Sequence, residues 1–332
     1  MIGRYPTPVQ RLSVYSAGRS ELWVKRDDLT NSVYGGNKVR KLERILERAR
    51  ERAARRIVTF GAAGSHHVLC TTIHGRAAGF DVAAILTPQP RTLHAMNNLR
   101  AGLARGLEPV AAPSMALAPV VLATLLRQGD FVVGPGGSTL DGTVGYVAAA
   151  MELSRQIEDR LLPVPDAVVV ALGSAGTAAG LLAGMAGSAP AVPSPAPSLA
   201  ETRLVAVRVV DPVLMGRKRA LLLAWRAARE EKLGLDWSDL AARFIVEPGF
   251  LGAGYGHATA AGDRATEVAR RDGLELESTY TAKTFAAALD LIEKERFQRV
   301  LYWHTLSSAP LEPLLDGAPT LVPELDRLFT ET

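Results

Sequence analysis

Four stretches of this 332-residue chain place reactive side chains where one element gives way to the next. In "KRDDLTNSVYGGNKVRKLE", residues 25 to 43, two glycines permit close backbone approach or positive φ, and Lys38 follows Asn37 at the start of a helix. The positive end of that helix disfavours an ammonium, so the amine is eased towards the neutral form that attacks a carbonyl. Lys41, one turn on and on the same face, is in reach of an anion. A plain turn followed by solvated lysines would read the same way locally.

In "VVVALGSAGTAAGLLAG", residues 168 to 184, a buried strand enters a loop of Gly173, Ser174, Ala175, Gly176 and Thr177 and then a helix of small residues. Consecutive N–H groups and hydroxyls at a helix N-terminus make a phosphate cradle, although a tight turn built for packing uses the same residues. The glycine spacing is not the dinucleotide fingerprint, and the lysine of a nucleoside-triphosphate loop is missing. "TFGAAGSHHVLCTTIHGRAAGF", residues 59 to 80, sets Ser65, His66 and His67 at another strand-to-helix junction. With no carboxylate or third histidine spaced to complete a ligand set, no metal is expected. Cys70 reads as a small buried residue. In the last third, Tyr255 in "EPGFLGAGYGHAT" and Tyr280, Thr281 and Lys283 in "LESTYTAKTF" stand on turns before helices, and "LYWHTLSSAP" ends a strand with His304, Thr305 and Ser307.

The elements that must position these groups alternate. Strands are expected at 22–26, 57–61, 82–86, 131–134, 167–173, 204–210 and 299–305. Helices are expected near 39–54, 66–78, 91–105, 116–127, 142–160, 176–186, 213–231, 258–272 and 283–294. Strand and helix in this rhythm define an α/β protein with parallel sheets flanked by helices, whose ligands sit at the carboxyl ends of the strands. The Pro-rich stretch 187–201 reads as a surface loop. Composition excludes other classes: 48% hydrophobic and 22% charged residues exclude a disordered chain. No run approaches the roughly 18 apolar residues of a membrane span, and no apolar signal core opens the chain, so a soluble cytoplasmic protein is expected. One cysteine rules out an internal disulfide. The mild net charge of +4 has its local origin in "RKLERILERARERAARR" (40–56), an ion-paired amphipathic helix, and no reading motif for nucleic acid accompanies it.

Taken together, "PTP", "KRDDL", "GGNKVRKLE", "GSAGTAAGL", "GYG" and "YTAKTF" resemble, over nearly the whole chain, the fold-type II pyridoxal-phosphate (PLP) enzymes, and within them the 1-aminocyclopropane-1-carboxylate (ACC) deaminase and D-cysteine desulfhydrase group. The resemblance implies a tryptophan synthase beta-like fold in two domains: residues 1–43 with 148–332, and a smaller inserted 44–147. It implies PLP as cofactor, joined to Lys38 as a Schiff base. Asn37, Lys41, His66, the loop from Gly173 to Thr177, and Thr281 would hold the cofactor, with Lys41 and the loop at its phosphate and Thr281 at its pyridine nitrogen. Ser65, Tyr255 and Tyr280 would be catalytic, and Ser65, His66, His67, Tyr255 and Tyr280 would bind substrate. The deaminases carry a glutamate where Thr281 stands; a threonine cannot supply its charge, which favours expulsion of a β-substituent. The expected activity is therefore β-elimination and deamination of a small amino acid, D-cysteine desulfhydrase-like, in a homodimer.

Two loops depart from the family pattern. His66 replaces the usual asparagine of the Ser-Asn-His loop, and Leu306 and Ser307 replace the glycines of its His-Thr-Gly-Gly loop. They leave β-replacement, racemisation or ACC deamination open. An NAD(P)-dependent oxidoreductase, with Asp211 closing a β-α-β unit, and a non-catalytic binding protein are the readings from other classes.

Overall fold

A computed structural model describes residues 1–15, 20–187, 199–211 and 216–331. Most of the Pro-rich stretch lies outside them. The larger of two main sheets has six strands, in the order Val9–Arg11, Glu21–Arg26, Arg299–His304, Ala167–Leu172, Arg203–Arg208, Phe244–Glu247. All neighbours run parallel except the first pair. Both faces are covered, which is why "AVVVAL" is apolar throughout instead of alternating. Val168, Val170 and Leu172 pack under the helices Leu140–Glu158, Gly176–Gly187 and Arg217–Glu230. Ala167 and Val169 meet Ala260–Arg270 and Thr281–Glu293 on the other face. Each such buried valine contributes about 1.5–3 kcal/mol relative to exposure.

The second sheet has four parallel strands, in the order Leu107–Ala111, Asp81–Thr87, Arg56–Ala62, Asp130–Val132. Helices Asn37–Glu51, His66–Ala77 and Leu93–Ala104 cover it. The chain end returns here: Phe329–Thr330 pairs with Gln89–Pro90. The helices Asn37–Glu51 and Leu140–Glu158 run through both expected domain boundaries.

All seven strands and nine helices expected from the pattern are found, within a few residues at each described end; the expected start of the 213–231 helix lies outside the described residues. Strands Val9–Arg11, Leu107–Ala111 and Phe244–Glu247 and the short helix Trp237–Arg243 carried too little pattern to read. Leu107–Ala111 holds Pro109, tolerated because it is an edge strand whose outer N–H needs no partner. The small residues of Gly176–Gly187 have a packing purpose. A Cβ on Gly180 would lie 2.3 Å from Thr143 O, and one on Gly184 2.7 Å from Val147 O, so only glycines let the helix Leu140–Glu158 approach this closely.

Candidate active site

The carboxyl ends of both sheets open onto one cavity of about 760 Å³. Asn37, Lys38, Lys41, Ser65, His66, His67, Gly173, Ser174, Ala175, Thr177, Tyr255, Tyr280 and Thr281 all line it; of the expected site residues Gly176 alone does not, and it lies directly behind.

The turn before Lys38 is set by its neighbours. Gly36 has φ +88°, and a Cβ there would lie 2.6 Å from Thr305 O. The Asn37 N–H donates to that same carbonyl at 3.1 Å, and Gly36 N–H to Asp27 O at 3.1 Å. Ser307 Oγ accepts from Gly35 N at 2.8 Å, so the residue in the second glycine position of the family loop is a strut for the lysine turn. Burial lowers the Lys38 pKa to about 8. Lys41 lies well below the ordinary lysine value, through burial first and the charge of Lys38 second.

Lys41 Nζ donates to Gly136 O at 3.1 Å and to Ser138 Oγ at 3.2 Å. Ser138 Oγ also accepts from Gly176 N at 3.0 Å and donates to Ser174 Oγ at 2.8 Å. Asn37 Nδ2 reaches Thr177 Oγ1 at 3.0 Å, joining the first turns of two helices. A Cβ on Gly176 would lie 2.6 Å from Ser138 Oγ and 3.0 Å from Lys41 Nζ. Ala175 accepts a left-handed φ of +70° to make the loop, at a cost of the order of 1 kcal/mol. Two lysines, Lys41 buried and Lys38 half-buried, two helix N-termini and three hydroxyls thus converge without a carboxylate partner for either lysine among the described residues. This donor set fits a phosphate dianion beside an amine ready to join an aldehyde, the two demands PLP makes. Ser138 and Gly136 were not anticipated; their signal was the Gly/Pro-rich turn closing the strand Asp130–Val132.

Ser65 N-caps the helix His66–Ala77, accepting from Val68 N at 3.5 Å. Both ring nitrogens of the next two residues are engaged. His66 Nδ1 lies 2.7 Å from Tyr34 Oη and its Nε2 3.2 Å from His94 Nε2. Burial, His94 and Lys38 hold its pKa well below the usual histidine value. His66 therefore presents its ring to the cavity with its nitrogens already paired. His67 is a packing residue: the hydrogen of Thr59 Oγ1 goes to Val133 O at 3.0 Å, so His67 Nε2 donates to Thr59 at 2.8 Å, and Nδ1 faces Thr71 at 3.4 Å.

Tyr280 Oη donates to Tyr255 Oη at 2.8 Å, with the rings edge to face at 5.6 Å. Burial raises the Tyr255 pKa to about 12 and holds that of Tyr280 well above the usual phenol value, so both are hydrogen-bonding phenols. Buried Lys283 fixes the Tyr255 loop by donating to Leu251 O and Gly254 O, both at 2.8 Å. Beside Thr281, Glu277 also lines the cavity and was missed. Its carboxylate accepts from the N–H groups of Thr279, Tyr280 and Thr281 at 2.7 to 2.8 Å, capping the helix Thr281–Glu293.

Comparison with known proteins agrees with this geometry. The family model for pyridoxal-phosphate dependent enzymes matches residues 1–305. A crystal structure of an ACC deaminase homologue is 28% identical, superposes with a TM-score of 0.77 and shares 95% coverage of both chains. The fold alone is shared with a hydrogen sulfide-producing enzyme from Fusobacterium nucleatum (14% identity, TM-score 0.63, 94% and 95% coverage). It is likewise shared with a PLP-dependent aspartate racemase (15%, 0.63, 93% and 92%). The chain belongs to the pyridoxal-phosphate-dependent enzymes, of fold type II, and its cofactor is PLP. The oxidoreductase reading falls with that assignment.

Proposed function

We propose that this enzyme is a lyase that eliminates a β-substituent from a small amino acid, as a D-cysteine desulfhydrase does, the unsaturated product then taking up one water to give a keto acid and ammonia. The observation that carries the reading is Lys38: an amine whose pKa burial lowers to about 8, facing one cavity with Ser65, Tyr255 and Tyr280. PLP, when bound, draws off the electron pair left on the α-carbon. Lys38 takes the α-proton, a task that needs a neutral amine near physiological pH. Ser65, at the positive end of its helix, orients the substrate carboxylate. The paired Tyr255 and Tyr280 hold one hydroxyl hydrogen for the departing group. A small amino acid is the only partner the reading requires.

The division into a large part, residues 1–43 with 148–332, and a small part, 44–147, belongs to the same proposal, as do a homodimer and a cytoplasmic setting. Among the described residues no helix is long and apolar enough to cross a membrane. The engaged nitrogens of His66 and the bulk of Leu306 in the cavity wall favour one second reading, a shifted substrate preference within the same chemistry.

The test is a panel of D- and L-cysteine, ACC and other small amino acids, scored for keto acid and ammonia. Keto acid from a β-substituted amino acid, lost in Lys38→Ala, is expected. Racemised or β-substituted products with no keto acid from any member would overturn the elimination reading.

A further inference from the structure

A threonine at Thr281 suggests a pyridine nitrogen without a negative partner, but the surroundings of that hydroxyl say otherwise. Thr281 Oγ1 accepts from Glu277 N at 2.8 Å and lies 3.2 Å from both Glu277 O and Glu277 Oε1. A hydroxyl has one hydrogen and two lone pairs. Both acceptors in reach of its hydrogen belong to Glu277 and one lone pair takes the Glu277 N–H, so what this arrangement leaves for the cavity is a lone pair. A group meeting Thr281 from the cavity must therefore bring its own hydrogen. Behind the hydroxyl stands Glu277, the one carboxylate among the described residues lining the cavity. In PLP the ring nitrogen lies across the ring from the aldehyde-bearing carbon, so with that carbon at Lys38 the nitrogen points away from the lysine pair.

We propose that Thr281 and Glu277 act as one unit that keeps the pyridine nitrogen of bound PLP protonated: the ring N–H donates to Thr281 Oγ1, which donates to the Glu277 carboxylate. No proton leaves or enters in this arrangement; the carboxylate charge is conveyed through one intervening hydroxyl. Glu277 is then a positioning residue, acting through Thr281. A protonated ring is a stronger electron sink, which widens the chemistry beyond expulsion of a good leaving group. The inference rests on the cofactor assignment and on Thr281 meeting the ring nitrogen, and it holds whichever amino acid is turned over.

The bland alternative is that Glu277 only caps its helix. The nitrogen NMR shift of the holoenzyme loaded with PLP labelled at the ring nitrogen separates the two, because a pyridinium and a bare pyridine differ widely. Wild type and Thr281→Ser are expected to show pyridinium at neutral pH, and Thr281→Val, of equal volume, a bare nitrogen. Glu277→Gln keeps an oxygen for the backbone N–H groups but loses the charge, and the nitrogen should lose its proton about one pH unit or more lower than in wild type. A bare nitrogen in the wild type, or Thr281→Val and wild type alike, overturns the proposal and leaves the elimination reading standing. A protonated ring in an enzyme that yields no keto acid supports this proposal and sinks the other. If Glu277→Gln fails to fold, the threonine pair still decides.

Discussion

Arg40 and the lysines flanking it occupy one turn of one helix in opposite electrostatic conditions. Arg40 is buried and paired: its guanidinium donates to both oxygens of Asp27, at 2.8 and 2.9 Å, and to Glu152 at 2.9 and 3.0 Å. Lys25 Nζ completes the cluster at 2.5 Å from Glu152, giving two cations and two carboxylates. Asp27 accepts further from Thr7, Tyr146 and Trp303, at 2.7 to 2.9 Å. Lys41 is buried and Lys38 half-buried, neither has a carboxylate partner among the described residues, and an anion to pair with them must come from outside the chain. The difference separates scaffold from site: the balanced cluster fixes where the helix begins, and the unbalanced one waits for an anion.

Removing Asp27 should have the largest effect on the comparison. Asp27→Ala leaves Arg40 buried beside one carboxylate, and urea unfolding is expected to show a loss of about 3–5 kcal/mol. Burial raises the Asp27 pKa, but Arg40, Lys25 and Trp303 outweigh it and the group ends below the ordinary carboxylate value. Its contribution should therefore be complete above about pH 4, the unfolded value, and fade as pH falls through the lower folded one. An Asp27→Ala protein as stable as wild type at pH 7 would mean the cluster is not the anchor.

Next in size, Lys41→Met should cost cofactor affinity instead of stability. One charge-assisted contact is worth about 1.5–3 kcal/mol, so the PLP dissociation constant should rise roughly tenfold to a hundredfold. The cofactor-free protein should unfold at the same denaturant concentration or a higher one. A clear loss of stability would show that Lys41 is already compensated. Smaller again, millimolar inorganic phosphate should raise the melting temperature of cofactor-free wild type and not of Lys41→Met, by the linkage of binding to folding. A further test uses pH alone. Lys38 binds its proton less readily folded than unfolded, so cofactor-free protein should gain stability as pH rises from about 8 towards the unfolded lysine value. Flat stability across that window would contradict the depressed lysine.

Much of the fold was legible because long strands buried on both faces and amphipathic helices write their period into the chain, as "AVVVAL" and "RKLERILERARE" do. Strands of three to five residues with Gln10, Arg11 or Pro109 inside them do not. In the site, Lys38 and Lys41 were readable together because one helix carries both. Ser138 and Glu277 arrive from other turns, and only folding shows which hydroxyl and which carboxylate stand beside the cavity. His67 illustrates the converse: its position beside a ligand loop was correct, but two threonines from the strand before it and the helix it begins take both ring nitrogens.

The large sheet places Arg299–His304 between Glu21–Arg26 and Ala167–Leu172, with Trp23 opposite Leu301. On a ribosome adding about 5–20 residues per second, the strand bearing Lys25 therefore waits on the order of ten seconds or more for its neighbour to be synthesised. The loop that follows that neighbour, at Thr305, is also what holds the lysine turn. A nascent chain thus has no assembled cofactor site to load until Thr305 has left the tunnel, and PLP capture must follow it.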